Sequence, residues 1–265
     1  MIVVTGATGN VGQPLVRALA EAGEEVVAVS RRAAEHRADL VEPETLKPAL
    51  DGAEALFLLT SSDFMARGNI HDLMAVVRES GVQRVVLLSS QGVGTQRHPS
   101  HLEDAVKQSG LQWTMLRPGN FNSNTFQWAD MVRTQRLVEA PFADVALPAI
   151  DPVDIAEVAA RVLREPGHEG SIYTLTGPEP ISPRQQAAAI GEAVGEPVRF
   201  VEQSRPDARA RMLQFMPEPV VESTLGILGE PSAAEQRVSP DVERVLGRSP
   251  RTYADWAARN VVVFK

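Results

Sequence analysis

The chain has 265 residues, with 26 Lys plus Arg against 34 Asp plus Glu and a formal net charge of −8, which suits one large domain or one and a half. Its 43% apolar and 23% charged content lets a core form unaided, and the absence of cysteine excludes disulfide scaffolds, thiolate nucleophiles, iron–sulfur clusters and cysteine zinc sites. An acidic balance without a Lys/Arg stripe argues against nucleic acid, and no apolar run approaches the roughly 20 residues that span a bilayer. The opening MIVVTGATGN lacks the basic stretch of a signal peptide, so a cytoplasmic protein with a small-molecule partner, no membrane and no metal is expected, as a monomer or homodimer.

The first residues alternate β-branched runs with helical periodicity: a strand at 2–5, a helix at 11–22 and a strand at 25–30. Pro14 falls in the helix's first turn, where its missing N–H costs little, and Gly23 is placed to stop it. Only a shortened connection lies between Ser30 and Ala55, with a remnant strand at 36–41 and a helix at 43–50. Strands follow at 55–60, 84–89 and 112–116, separated by helices around 70–80 and 100–109. The segment IDPVDIAEVAARVL reads as an amphipathic helix and 171–176 as another strand, after which the pattern turns proline-rich and mainly helical. This order predicts an α/β fold, a doubly wound parallel Rossmann sheet. Residues 1–150 would form the dinucleotide-binding domain, and 151–265 the last helix and strand plus a small C-terminal substrate lobe.

Gly6, Gly9 and Gly12 fall at the junction of the first strand and first helix in TGATGNVG. Glycines there let the chain turn sharply, let a pyrophosphate approach the backbone, and aim the helix's first N–H groups at it. Gly6, Thr8, Gly9, Asn10, Val11 and Gly12 are therefore expected to bind a dinucleotide. At the end of the second strand, where NAD sites often place a carboxylate on the ribose, the sequence reads VAVSRR. Ser30, Arg31 and Arg32 suit a 2′-phosphate, which favours NADP, with NAD as the alternative.

The stretches TGATGNVG, ADL at 38–40, LFLLTSS at 56–62, VVLLSS at 85–90, LEDAVKQSGLQWTMLRPGNFNSN at 102–124, DIAEVAARVL, YTLTGPEPIS and GRSPRTYADWAARN carry a resemblance that extends over nearly the whole chain. They resemble the NmrA-like members of the atypical short-chain dehydrogenase/reductase superfamily. The resemblance implies that Asp39 and Leu40 flank the adenine and that Leu59, Thr60 and Ser61 line the ribose and phosphates. It further implies that Ser89 and Ser90 sit near the nicotinamide and that the turn of Pro118, Gly119, Asn120 and Phe121 lies against the same end.

Many dehydrogenases of this superfamily use a Tyr and, one helical turn later, a Lys that lowers the phenol pKa. Here the only tyrosines, Tyr173 and Tyr253, are followed four positions later by Gly177 and Ala257. Thr95 and Pro99, where the pair would fall, cannot replace it. A conjugated acceptor such as a quinone needs no strong acid, since its developing oxyanion is delocalised. Ser90, Gln91 and Asn124 are the expected oxyanion donors. Of His98 and His101, His101 is taken as the candidate proton donor. Phe121, Phe126, Trp128, Met131, Met212, Phe215 and Met216 are the expected apolar face for a flat aromatic. Two readings follow: an NADPH-dependent reductase of a quinone or conjugated aromatic, such as an aromatic polyketide, or a non-catalytic NADP redox sensor for a protein partner. An isomerase or tailoring oxygenase role on such a polyketide is a third.

Overall fold

The computed structural model describes residues 1–31 and 36–265. Among them are nine strands: β1 Ile2–Thr5, β2 Val26–Ser30, β3 His36–Arg37, β4 Ala55–Leu58, β5 Arg84–Leu88, β6 Gln112–Pro118, β7 Leu137–Pro141, β8 Ser171–Leu175 and β9 Arg199–Gln203. Seven form one parallel sheet in the order β3-β2-β1-β4-β5-β6-β8. The order reverses between β1 and β4, and the carboxyl ends of the strands on either side of that point open a crevice.

Both faces of the sheet are covered, which is why its central strands read as unbroken apolar runs rather than alternating ones. Along β4, Leu56 and Leu58 point into a core shared with Leu46, Leu73 and Val106, while Ala55 and Phe57 point into the opposite core. That second core receives Leu15 and Leu19 of the helix Gly12–Glu21 and Ile155, Ala159 and Val162 of the helix Pro152–Arg164. The two-residue period of β4 thus meets helices on either side.

In the shortened connection after β2, the remnant strand expected at 36–41 is limited to β3, paired through Val29↔His36 and Ser30↔Arg37. The helix expected at 43–50 is broken into a 3₁₀ turn, Pro43–Leu46, and a helical turn, Lys47–Leu50. Pro48 has no N–H to continue an α-helical ladder across that joint. The C-terminal region also holds more strand than its sequence suggests: β9 pairs in parallel with β7 through Leu137↔Arg199 and Val138↔Phe200.

A third core joins residues from before and after the last sheet strand, with Trp128, Val132 and Val138 packed on Ile190, Tyr253, Trp256 and Phe264. Arg248 and Arg251 lock this lobe to the helix Pro152–Arg164 through Asp154, which is fully buried, and Glu157. Arg259 does the same through Asp151. Among the described residues no helix is long and apolar enough to cross a membrane.

Candidate functional site

The loop after β1 is built so that only glycine fits. Gly6 has φ +64°, a left-handed conformation, and a Cβ on Gly12 would stand 2.1 Å from the carbonyl oxygen of Gly6. The Gly9 N–H closes the turn onto that same carbonyl at 3.0 Å. Thr5 Oγ1 accepts the N–H of Leu59 at 2.8 Å and so pins the exit of β4 beside the loop. No side chain caps the helix that follows and its first turn carries no acidic residue; the Gln13 N–H is already taken by the Gly9 carbonyl at 3.0 Å and Pro14 has none, so what the helix chiefly offers an anion is its positive dipole end.

Thr8, Gly9 and Asn10 are exposed above this helix start, and Val11 and Gly12 are buried within it. Asn10 Nδ2 donates to Ser123 Oγ at 3.2 Å, tying the loop to the segment after β6. In that segment the Asn122 amide is fully buried, with no hydrogen-bond partner for either of its polar atoms among the described residues. A cavity of about 350 Å³ runs from Gly6 and Gly9 past Ser30 and Arg31 to Asp39 and Leu40. A glycine cradle that a Cβ would fill and an uncapped helix, with Arg31 further along the lining, fit a dinucleotide along this cavity.

At the far end Arg31 is half exposed and lies 3.4 Å from Asp63, a carboxylate already held by Arg67 at 2.7 Å. The Arg67 hydrogen bonds keep the Asp63 carboxyl below its ordinary range. Arg31 is therefore loosely tethered and directed at the cavity it lines. Arg32 lies outside the described residues. Asp39 Oδ1 accepts the N–H of Val41 at 3.0 Å, a turn contact that leaves Leu40 in the cavity wall. Leu59 and Ser61 line the cavity, and Ser61 Oγ also caps the helix Ser62–Arg67. Thr60, by contrast, turns its hydroxyl to the sulfur of Met65.

Beyond β5 and β6 a second cavity of about 320 Å³ is lined by Ser90, Gln91, Pro118, Asn120, Phe121 and Asn124 together with His98. Ser90 Oγ accepts from Gly92 N and lies 3.1 Å from His98 Nδ1. Burial pushes the His98 imidazole below its ordinary pKa, partly opposed by the nearby Glu235 carboxylate, and so favours the neutral ring. His101, the histidine favoured by the sequence, is exposed at the start of the helix His101–Gln108, and the structure brings His98 to Ser90 instead. Asn124 Nδ2 donates to Asn120 Oδ1 at 2.7 Å, and Gln91 Nε2 reaches the carbonyl of Ala234 at 3.4 Å.

Ser89 faces away from this cavity. Its hydroxyl donates to Glu103 at 2.6 Å, and Arg117 clamps the same carboxylate through Nε at 2.8 Å and Nη2 at 2.6 Å. Burial would raise the Glu103 carboxyl, but the Arg117 and Ser89 hydrogen bonds outweigh it and hold the group below its ordinary range. This pair anchors the ends of β5 and β6 beneath the cavity. The only sequence signal for it is Lys107, one helical turn after Glu103.

A third cavity of about 480 Å³ opens between the sheet and the lobe and shares Asn120, Asn124, Thr224 and Leu228 with the second. Trp128, Met212, Phe215 and Met216 line it, as their sequence positions suggest. Phe121 lines the neighbouring cavity, whereas Phe126 packs inward on Trp256 at 5.0 Å between ring centroids, and Met131 lines neither. Neither tyrosine is at these cavities. Tyr253 is buried against Thr125, with its phenol pKa pushed up by burial, and Tyr173 binds His168.

A parallel sheet whose first turn presents glycines and an uncapped helix to a cavity at the strand-order reversal defines a dinucleotide-binding Rossmann protein. The chain belongs to the NAD(P)H-binding family, whose model matches residues 6–166, and within it to the NmrA-like, atypical short-chain dehydrogenase/reductases. It is 34% identical to a (4-alkanoyl-5-oxo-2,5-dihydrofuran-3-yl)methyl phosphate reductase of Streptomyces griseus, over 100% of this chain and 99% of that protein. It is 32% identical to an NAD(P)H azoreductase of Xenophilus azovorans, again over 100% of this chain and 99% of the relative. In fold it matches the NADPH-dependent quinone oxidoreductase of Escherichia coli complexed with NADPH, with a TM-score of 0.82 and 23% identity, covering 98% of this chain and 99% of that one.

Proposed function

We propose that the chain is an NADPH-dependent reductase that delivers a hydride to a quinone or another conjugated, electron-poor acceptor. The observation that carries this reading is a cavity beside the glycine-loop site with apolar and aromatic walls, neutral donors at one end and no Tyr–Lys pair. Reduction of an isolated ketone places full charge on one oxygen and calls for a strong acid. Reduction of a conjugated system spreads that charge, and hydroxyl and amide donors suffice. The relatives' names share this chemistry: a butenolide, an azo compound and a quinone all accept electrons into a delocalised system.

When bound, the reduced nicotinamide would supply the hydride. The glycine loop and the start of the helix Gly12–Glu21 hold the pyrophosphate, and Arg31 takes the 2′-phosphate that distinguishes NADPH from NADH. Ser90, Gln91 and Asn124 hydrogen-bond the developing oxyanion, and His98 orients the Ser90 hydroxyl. Trp128 and Phe121 provide flat apolar surface that orients a planar acceptor and excludes water.

The test is the absorbance of reduced nicotinamide after adding menadione, an azo dye and a butenolide to the NADPH-loaded protein. Decay faster than the free-cofactor rate with at least one of them is expected. Tight NADPH binding with no decay across the panel would overturn the reductase in favour of the redox sensor.

A further inference from the structure

The helix Arg205–Met212 carries three arginines with different surroundings. Arg209 binds Glu222 at 2.5 Å and also Glu218, and Arg205 lies 3.8 Å from Glu222 and 3.7 Å from Glu230. All three of those carboxylates belong to the helix Glu218–Gly229 or its end. Arg211 is two positions past Arg209, on the opposite side of the helix, and lines the 480 Å³ cavity, half-buried beside Met212 and Phe215. Among the described residues its guanidinium has no hydrogen bond, ion pair or ring partner. The carboxylate sharing that lining, Glu139, is reached by Gln203 Nε2 at 3.5 Å and forms no ion pair with Arg211.

A cation that is half desolvated and unpaired, while its neighbours on the same helix are all matched, costs free energy unless something else compensates it. The planar fork of a guanidinium matches a phosphate, sulfonate or carboxylate. Trp128, Met212, Phe215 and Met216 supply apolar surface in the same cavity, and Asn120 and Asn124 connect it to the cavity of Ser90. An acceptor long enough to reach both ends would meet neutral donors at its reacting system and a cation at its far side.

We infer that Arg211 is the anion-recognising residue of this cavity, and that the preferred acceptor is a conjugated molecule carrying a phosphate, sulfonate or carboxylate away from its reacting atoms. This rests on the reading of the cavity as the acceptor site. An anion held there aligns the conjugated system by its remote end, so that binding at Arg211 also positions the reacting end.

The experiment compares 1,4-naphthoquinone-6-sulfonate, whose sulfonate sits on the ring remote from the quinone, with menadione, which has the same ring system and no anion, by calorimetry on the NADP-saturated protein and on the Arg211→Leu and Arg211→Lys variants. The sulfonate is expected to bind about tenfold to a hundredfold more tightly than menadione in the wild type. In Arg211→Leu that preference is expected to vanish while menadione affinity stays within about twofold, which also shows that the cavity is intact; Arg211→Lys is expected to keep part of it. Equal affinities in the wild type, or a preference that survives Arg211→Leu, would overturn the subsite. Repeating the titration with NADPH separates the two readings. A sulfonate preference without turnover would sink the reductase and keep the subsite, and turnover of both quinones with equal KM would do the reverse.

Discussion

Glu103→Gln removes one charge from the network that holds β5 and β6 together beneath the proposed nicotinamide end. The Glu103 carboxylate is 1% exposed and takes four donors: Ser89 at 2.6 Å, Arg117 at 2.8 and 2.6 Å, and Lys107 at 3.3 Å. Glutamine keeps the shape but turns an amide N–H₂ toward at least one of these donors, and Arg117, itself only 18% exposed, loses its counter-charge. Breaking a buried pair on one side costs roughly 3–5 kcal/mol, and the partial exposure of Lys107 places this case near the lower end, about 3 kcal/mol. For a chain of this size that corresponds to a Tm lower by roughly 6–12 °C. Because the folded carboxyl titrates below its ordinary value, its stabilising effect is complete above the unfolded carboxyl's pKa of about 4.3 and disappears as the pH falls through the folded value. Urea unfolding followed by tryptophan fluorescence at pH 7 and at pH 4 is therefore expected to show a gap between wild type and variant that has begun to narrow at the lower pH. A gap under about 1 kcal/mol at pH 7, or one that widens at pH 4, would refute the reasoning.

Three further outcomes are expected. Gly12→Ala brings a Cβ to 2.1 Å from the Gly6 carbonyl, backbone that cannot yield, so calorimetry should show NADPH affinity reduced by more than about a hundredfold. Arg31→Ala should weaken NADPH by about tenfold to a hundredfold and leave NADH within about twofold, and an unchanged ratio would remove Arg31 from the phosphate site. Ser90→Ala should lower kcat by about tenfold to a hundredfold while NADPH affinity holds, whereas equal losses in both would make Ser90 a structural cap for Gly92 only.

The first turn and the sheet around it were legible because each feature there is local. The glycine spacing, Pro14 and the apolar strand runs all depend on chain neighbours, and β1, β4 and β5 begin where the sequence places them. The pair β7 and β9 was hidden because β9, RFVEQ, is mostly exposed and paired across about 60 residues, so neither burial nor proximity marks it. The choice between His98 and His101 turned on the same kind of information. Gly92 leaves room for the His98 ring, since a Cβ there would stand 2.5 Å from Nδ1, and only the folded loop shows that the imidazole comes back to Ser90. Arg117 reads as part of a turn and Glu103 as one face of a helix, and their contact is tertiary. The aromatic run divides similarly: within the 3₁₀ segment Asn122–Trp128, Trp128 is buried in the third core and also walls the cavity, whereas Phe126 packs on Trp256 and does not reach it.

The proposed reaction turns on delocalisation in the acceptor standing in for the missing Tyr–Lys pair. The most direct test is stopped-flow mixing of NADPH-saturated protein with menadione and, separately, with cyclohexanone, a ketone with no conjugation, following the reduced-nicotinamide absorbance through a single turnover. Rapid decay with menadione and none above the free-cofactor rate with cyclohexanone is the expected result. Reduction of cyclohexanone at a comparable rate would mean that a strong proton donor operates in the site and would contradict the proposal.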